Sequence, residues 1–517
     1  MSTAAQQPSN QPIVQMKGIV KRFPGVLAND QVDFDLYPGE VHSLLGENGA
    51  GKTTLMSILY GLYHPDEGEI FVKGKQVHFH SAQDAIRSGL EMVHQHFQLV
   101  KTFTVAENII LGQPSSRGPL LEDKKKVRGR IREISNQFGL DVDPEAEIWQ
   151  LSVGEQQRIE ILKALYRGAD VLVLDEPTAV LTPQEASELL NIIKDLAAQG
   201  RAIVFISHKL NEVLAISDRI TVLRDGHVVG TVRPAKEKTT RSDLARMMVG
   251  REVLLNVPRQ PKEAGEVRLV IEDLWVRDDR DLPAVRGISL EIRAGEILGF
   301  AGVAGNGQRE LEEALRGLRP AEKGRIFIDG QETTHCRPFD IIKQNVAHIP
   351  SDRYSRGMLD DVSVAENLVL ETFWRKPFTQ RAFLNYRTIR SAAEQLIKQY
   401  DVRTPSITTA AGKLSGGNAQ KMVLARELSL DPRFLLAAQP TRGLDISAIE
   451  YVHRTLIEQR DRGVAILLIS TELEEIFALS DRIAVIYEGK IMGIVPGGKE
   501  YMKEVGMMMA GARPEHG

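Results

Sequence analysis

Residues 39–62 read GEVHSLLGENGAGKTTLMSILYGL. The apolar run VHSLL leads straight into glycines, and KTTLMSILYGL behind them has helical spacing, so a strand, a turn and a helix are predicted in that order. Gly46 to Thr53 satisfies G-x-x-x-x-G-K-[ST] in the strand-before, helix-after context that gives this pattern its meaning. Glycines free the backbone amides of Gly46, Glu47, Asn48, Gly49, Ala50 and Gly51 to wrap phosphates, and the helix N-terminus that follows favours an anion. Lys52 reaches the β- and γ-phosphates, and the Thr53 hydroxyl, with Thr54 beside it, can ligate magnesium.

This stretch recurs. GEVHSLLGENGAG at 39–51 is echoed by GEILGFAGVAGNG at 295–307, an offset of 256 residues. GEIFVKGK from Gly68 returns as GRIFIDGQ from Gly324, TVAEN at 104–108 as SVAEN at 363–367, and SDRITVLRDGHVVG from Ser217 as SDRIAVIYEGKIMG from Ser480. Two homologous halves are predicted, at 13–250 and 267–512, with 251–266 as linker.

Within the first half, VLVLD (171–175) and AIVFIS (202–207) are short apolar runs separated by the amphipathic PQEASELLNIIKDLAAQG, which argues for a parallel sheet flanked by helices. Residues 104–167 lack strand signals and are expected to form an inserted helical subdomain. Lys and Arg number 65 against 69 Asp and Glu, so the net charge of −4 carries no basic excess for nucleic acid. The single cysteine, Cys336, excludes an internal disulfide and a four-cysteine zinc site. No apolar run reaches 18 residues and the N-terminus is polar, so neither a membrane span nor a secretory signal is expected. The alternating histidines His78/His80 and His94/His96 read as structural rather than metal-binding.

Asp175 and Glu176 end the VLVLD strand, where the first can hold magnesium and the second can polarise an attacking water. Between the phosphate loop and these acids stands LSVGEQQR (151–158), matched in the second half by LSGGNAQK (414–421). The ordered set of phosphate loop, LSGGQ-like signature, acidic strand end and the histidine His208 after the next strand resembles the ATP-binding-cassette ATPases, twice over from about residue 13 to 512. The resemblance implies an α/β fold of two tandem cassettes. Each would have a P-loop parallel-sheet core, an antiparallel β subdomain and an inserted helical subdomain. It further implies that Phe23 stacks on adenine, that Gln95 senses the γ-phosphate, ligates magnesium and faces a membrane partner, and that His208 bonds the γ-phosphate.

The halves are unequally equipped. In the second loop, between Gly302 and Gly307 and just beyond, Gln308 stands for Lys52 and Arg309 for Thr53. Ala438 replaces Asp175, Gln439 replaces Glu176 and Thr471 replaces His208. Conversely the second signature keeps Ser415, Gly416 and Gly417, whereas the first, Ser152-Val153-Gly154-Glu155, puts a β-branched residue and a carboxylate near where phosphates would lie. The turn after the acidic strand keeps Asp445 in the second half but has Thr182 in the first.

In this family a site is built head-to-tail from one half's loop and the other half's signature. On that basis one composite site, with Lys52, Thr53, Asp175, Glu176, His208, Ser415, Gly417 and Asp445, is intact, while the opposite one, with Gln308, Arg309, Ala438, Gln439, Thr471, Val153, Glu155 and Thr182, is degenerate. Sites formed within each half would both mix good and damaged parts.

Tandem cassettes without membrane spans resemble the ATPase subunits of bacterial sugar and nucleoside importers. VHQHFQLVKTFTVAENIILG, PTAVLTPQE and GVAGNGQ look closest to the purine-nucleoside type. The implied partners are two membrane-spanning permease subunits and an extracytoplasmic solute-binding protein or lipoprotein, with the chain peripheral on the cytoplasmic face and no nucleic acid expected. Ribose- or galactose-type sugars stay open as the solute, and a soluble tandem-cassette ATPase acting on ribosomes or nucleic acid is the rival class.

Overall fold

VHSLL, VLVLD and AIVFIS lie side by side as fully buried strands, which is why they read as unbroken apolar runs rather than alternating ones. The computed structural model describes residues 11–94, 97–113, 124–178, 181, 183–253, 262–303, 305–380 and 383–512. The chain divides into two units, Met1–Val253 and Leu254–Gly517.

The strands of the first unit are β1 (Val14–Phe23), β2 (Val26–Leu36), β3 (Val41–Leu45), β4 (Glu67–Val72), β5 (Lys75–Val77), β6 (Leu90–Val93), β7 (Val171–Asp175), β8 (Ala202–Ile206), β9 (Arg219–Arg224) and β10 (His227–Val232). β2-β1-β4-β5 form an antiparallel sheet. The second sheet runs β10-β9-β3-β8-β7-β6, parallel throughout except for β10. Leu44, Val173, Val204 and Ile206 of the parallel sheet share one core with Met16, Ile19, Phe34 and Ile70 of the antiparallel one. The phosphate-loop helix, Lys52–Leu59, presses Leu55, Met56, Ile58 and Leu59 into that core.

In the second unit the strands are β11 (Val267–Arg277), β12 (Pro283–Arg293), β13 (Ile297–Ala301), β14 (Lys323–Ile328), β15 (Gln331–Glu332), β16 (Val346–Ile349), β17 (Thr379–Gln380), β18 (Phe383–Leu384), β19 (Phe434–Ala438), β20 (Ala465–Ser470), β21 (Arg482–Tyr487) and β22 (Lys490–Pro496). The antiparallel order β12-β11-β14-β15 repeats the first unit, as does β16-β19-β20-β13-β21-β22 read from its opposite edge. Only the small β17-β18 ribbon has no counterpart among the described residues. Each unit therefore has the expected parallel core and antiparallel subdomain.

The described part of residues 104–167 carries the helices Val105–Ile110, Lys124–Phe138 and Val153–Tyr166 and no strand. Val364–Leu368, Tyr386–Gln399 and Gly416–Leu428 correspond in the second unit. The TVAEN/SVAEN repeat has a physical cause. Thr104 and Ser363 cap their helices in boxes closed by Glu107 and Glu366. The next residue, Asn108 or Asn367, is buried and ties the preceding loop: Asn108 Oδ1 accepts from the Val100 amide at 2.7 Å and Asn367 Oδ1 from the Leu359 amide at 2.9 Å. Among the described residues no helix is long and apolar enough to cross a membrane.

Candidate functional site

The first phosphate loop turns between β3 and its helix with Gly49 at φ 87° and Gly51 at φ 95°, angles that a side chain strains against. A Cβ on Gly51 would overlap the Ala28 carbonyl oxygen, and one on Gly46 the Leu223 carbonyl oxygen. Both glycines are needed for the close approach of backbone to backbone. Lys52 is buried, with Nζ donating to the carbonyls of Gly46 at 2.8 Å and Glu47 at 2.9 Å, so its ammonium lies over the loop. Asn48 and Gly49 are exposed at the rim, Ala50 and Gly51 are buried, and Thr54 is half-buried. Thr53 Oγ1 donates to Asp175 Oδ2 at 3.4 Å. These two oxygens, one neutral and one carboxylate, are the donor chemistry a hard divalent cation takes.

β7 ends in Asp175, and the chain then enters the left-handed region at Glu176, φ 47°, with the Glu176 amide held by the Ile206 carbonyl at 2.9 Å. Such a conformation costs a non-glycine residue about 1 to 3 kcal/mol, and strain of that kind gathers at functional sites. His208 Nδ1 lies 2.8 Å from Glu176 Oε1 and donates to it. Burial pushes the Asp175 carboxyl up to about 6, helped by the Glu176 charge. Burial pushes Glu176 upward too, but the His208 hydrogen bond and the charges of His208, Lys52 and Lys209 outweigh it and hold this carboxylate below its ordinary value. Two adjacent carboxyls thus differ in proton affinity, and the lower one is the one aimed by a histidine.

Phe23 closes β1 partly exposed, edge-on to Tyr63 with ring centroids 5.4 Å apart. It is not a core residue. Gln95 and Thr182 lie outside the described residues.

The second unit keeps the frame of this site and loses its chemistry. Gly307 has φ 99° and Gln308 Nε2 donates to the Gly302 carbonyl at 3.1 Å, copying the Lys52 contact without the charge. Arg309 turns outward, to Asp279 at 2.7 Å and Glu310 at 2.9 Å. Asp279 also takes Arg319 at 2.6 Å, so an ion cluster involves the residue that stands for Thr53. Ala438 ends β19 with no carboxylate, and Gln439 repeats the strained turn at φ 46°. Thr471 Oγ1 donates to Gln439 Oε1 at 3.2 Å, a neutral version of the His208–Glu176 pair.

The signatures differ in a way the residue types only half reveal. In the first, Ser152 Oγ accepts from the Glu155 amide at 3.3 Å while Glu155 Oε2 accepts from the Ser152 amide at 2.7 Å. The helix N-terminus is closed by its own carboxylate. Glu155 is held below its ordinary value by those Ser152 bonds, so it stays charged. A second acid crowds the same turn: a Cβ on Gly154 would sit 2.5 Å from Glu185 Oε1. In the second signature Ser415 caps no amide and instead accepts from Asn418 Nδ2 at 2.9 Å. Gly417 there faces Ala448, with Asp445 Oδ2 beyond it, and Asp445 caps the following helix through the Ala448 amide at 2.8 Å. Asn418 and Ala448 are neutral where the first cassette has Glu155 and Glu185, and Asp445 is spent on the Ala448 amide, so no side chain caps this helix N-terminus.

A family model described as ABC transporter matches residues 29–179 and 285–442. The chain belongs to the ABC transporter family. It is an ATP-binding-cassette ATPase. It is 48% identical over 503 residues, 97% of this chain and 99% of the relative, to the nucleoside import ATP-binding protein of Lactococcus lactis subsp. cremoris. It is equally 48% identical over 501 residues, 97% and 98%, to the guanosine import ATP-binding protein of Bacillus subtilis. Among solved structures, an archaeal ribosome recycling factor in complex with a ribosomal stalk protein shares the fold with a TM-score of 0.60 at 20% identity, covering 95% of this chain and 92% of that one.

Within the first cassette the structure brings together Lys52, Thr53, Asp175, Glu176 and His208. In the second it gathers Ser415, Gly416, Gly417 and Asp445. Three participants escaped sequence reading: Tyr63 under Phe23, Glu185 beside Gly154, and Asp279 between Arg309 and Arg319. The signal for Glu185 is its register with Ala448, 263 residues on, which matters only once Gly154 is seen to pack there.

Proposed function

We propose that this ATPase is the energy-coupling subunit of an importer for nucleosides, with one hydrolytic site and one degenerate site. The observation that carries the reading is the sorting of parts: every acid, base and lysine is in the first cassette, and the open signature is in the second. The hydrolytic site is composed of the first cassette's Lys52, Thr53, Asp175, Glu176 and His208 and the second cassette's Ser415, Gly416, Gly417 and Asp445. Its opposite number pairs Gln308, Arg309, Ala438, Gln439 and Thr471 with Ser152, Val153 and Gly154 and does not turn over.

Glu176, strained into place and aimed by His208, accepts a proton from the attacking water, a role whose removal costs about 10² to 10⁴ in rate. Thr53 and Asp175, with Gln95 as the further ligand the family resemblance assigns, would hold magnesium, whose charge offsets that of the transferred phosphoryl group. Lys52 binds the β- and γ-phosphates once they displace the loop carbonyls from its ammonium. The open amides of the second signature bind the far side of the same phosphate, so ATP draws the two cassettes together and hydrolysis releases them. Two permease subunits at the membrane receive that movement near Gln95, and a separate extracytoplasmic protein selects the solute.

The nucleoside assignment is supported by relatives at 48% identity over nearly the whole chain that are named for nucleoside and guanosine import. Uptake of labelled guanosine, adenosine, cytidine, ribose and galactose by cells carrying the transport operon tests it, with wild type beside Lys52→Ala. Nucleoside uptake lost in the variant is expected, and uptake of sugars alone overturns the solute. For the site, Glu176→Gln is expected to abolish ATPase activity and Gln439→Glu to leave it unchanged; strong activity in Glu176→Gln overturns the assignment.

A further inference from the structure

Residues 351–357, SDRYSRG, follow β16 just as the segment around Gln95 follows β6. They form a single turn, Arg353–Gly357, started by Asp352, whose Oδ1 accepts from the amides of Tyr354 at 3.0 Å and Ser355 at 3.1 Å. With its backbone held, Arg353 reaches across to two loops of the same cassette. Its Nη1 donates to the Gly416 carbonyl at 3.2 Å and its Nη2 to the Arg442 carbonyl. Gly416 is the first glycine of the signature, and Arg442 begins the turn Arg442-Gly443-Leu444 that delivers Asp445. A Cβ on Gly416 would meet Arg353 Nη1 at 3.6 Å and Tyr354 Oη at 3.7 Å, so this segment walls one side of the signature turn.

Among the described residues no carboxylate lies within ion-pair distance of Arg353; burial lowers its proton affinity, against the nearby Asp352 charge. A partly buried cation whose hydrogen bonds go to carbonyl oxygens, with the Tyr354 ring centroid 5.9 Å away and the Asp352 charge nearby, costs stability relative to a neutral side chain. Its planar fork does what no short neutral group can: it bridges two separate carbonyls in fixed geometry. The matching stretch of the first cassette, QHFQLVK at 95–101, has Phe97 where Arg353 stands and a lysine only at its last position. That cassette's signature is closed by its own Glu155 box instead.

We infer that Arg353 is a positioning residue for ATP hydrolysis, holding the second signature and the Asp445 turn in one arrangement and tying both to the segment that corresponds to Gln95. The inference rests on the reading that the second signature completes the first cassette's site. It gives the segment after β16 a task in a cassette whose own loop has lost its lysine: it sets the signature, so movement of this segment against a membrane partner alters the hydrolytic site directly.

The test uses the full-length chain with Arg353→Lys and Arg353→Ala, and Ser415→Ala as a control on the composite reading. Steady-state ATPase, binding of a fluorescent ATP analogue and thermal unfolding are measured for each. A misplacement of the signature by about 1 Å costs about 10²-fold in turnover, so kcat is expected to fall by that order in both Arg353 variants. KM and analogue binding are expected to stay near wild type, because Lys52 and its loop are untouched, and Tm to move by less than about 4 °C. Lysine keeps the charge but replaces the planar two-nitrogen fork by a single nitrogen on a flexible stem, so wild-type kcat in Arg353→Lys overturns the inference. Parallel loss of kcat, binding and Tm in both variants also overturns it, by showing a merely structural role. If Ser415→Ala hydrolyses ATP like wild type, the composite reading itself fails; if Ser415→Ala is dead while Arg353→Ala is normal, only the present inference falls.

Discussion

Replacing Asn418 by glutamate copies into the second signature the residue that closes the first. The first signature shows where such a carboxylate goes, since Glu155 Oε2 takes the Ser152 amide at 2.7 Å and Ser152 Oγ takes the Glu155 amide in return. Asn418→Glu gains an equivalent box on Ser415, about 1 kcal/mol. It loses the bond in which Asn418 Oδ1 accepts from the Arg403 amide at 2.8 Å and the one its Nδ2 donates to Ser415 Oγ at 2.9 Å, together about 1 to 2 kcal/mol. Stability is therefore expected to change little, with Tm within about 4 °C of wild type. Turnover responds differently. If the second signature meets the phosphate as proposed, a carboxylate about 5 Å from that charge, at an effective dielectric of about 20, repels it by about 3 kcal/mol. That corresponds to about 10²-fold in kcat/KM. Steady-state ATPase assays and thermal melts on the full chain read both quantities. Asn418→Gln, neutral and of the same length, is expected to stay within about threefold of wild type, since removing a charge-free contact costs little. Wild-type ATPase in Asn418→Glu would refute the placement of the second signature at the phosphate, and equal loss in the glutamine variant would refute the electrostatic argument.

Gly51→Ala puts a Cβ onto the Ala28 carbonyl at φ 95° and is expected to abolish ATP binding and destabilise the first unit by about 2 to 4 kcal/mol. Gly49→Ala, at φ 87° with nothing within 4 Å of the new atom, costs about 1 kcal/mol and leaves measurable binding by the same titration and melt. Glu371 is pushed up to about 7 by burial and by Glu427, against the attraction of Arg316 and Arg426. Because its folded-state proton affinity is raised, the stability it contributes is full below about pH 4.5 and is lost as pH rises through about 7. Denaturant melts of Glu371→Gln are expected to lack that decline, a difference of about 3 kcal/mol across the window, and identical pH profiles would refute it. Chelating magnesium is expected to stop hydrolysis without shifting Tm in nucleotide-free protein, and Thr53→Ala to raise the magnesium needed for half-maximal rate by about tenfold.

Much of the site was legible because its parts are local. A glycine loop needs its glycines where the backbone turns, and Gly46, Gly49 and Gly51 mark it in a single strand-turn-helix unit. Buried parallel strands need apolar side chains on both faces, so VHSLL, VLVLD and AIVFIS announced the sheet, and the acids at the end of VLVLD came with it. The duplication doubled each signal. The residues that escaped are those whose meaning depends on a neighbour far along the chain. Glu185 is one charge on an amphipathic helix until Gly154 is found beside it, and Asp279 one acid in a polar hairpin until it is seen between Arg309 and Arg319.

The sequence by itself determined the two-cassette plan, the identity of the acids and lysine of the first loop, and the loss of those groups from the second, because each follows from residue type at fixed local spacing. Only the tertiary structure decided that His208 aims Glu176 rather than standing free, that Glu155 closes one signature while Asn418 leaves the other open, and that Arg353 clamps Gly416 to the Asp445 turn. Those outcomes depend on where side chains from distant segments meet, and hydrogen-bond direction and burial are set by that meeting rather than by sequence neighbours.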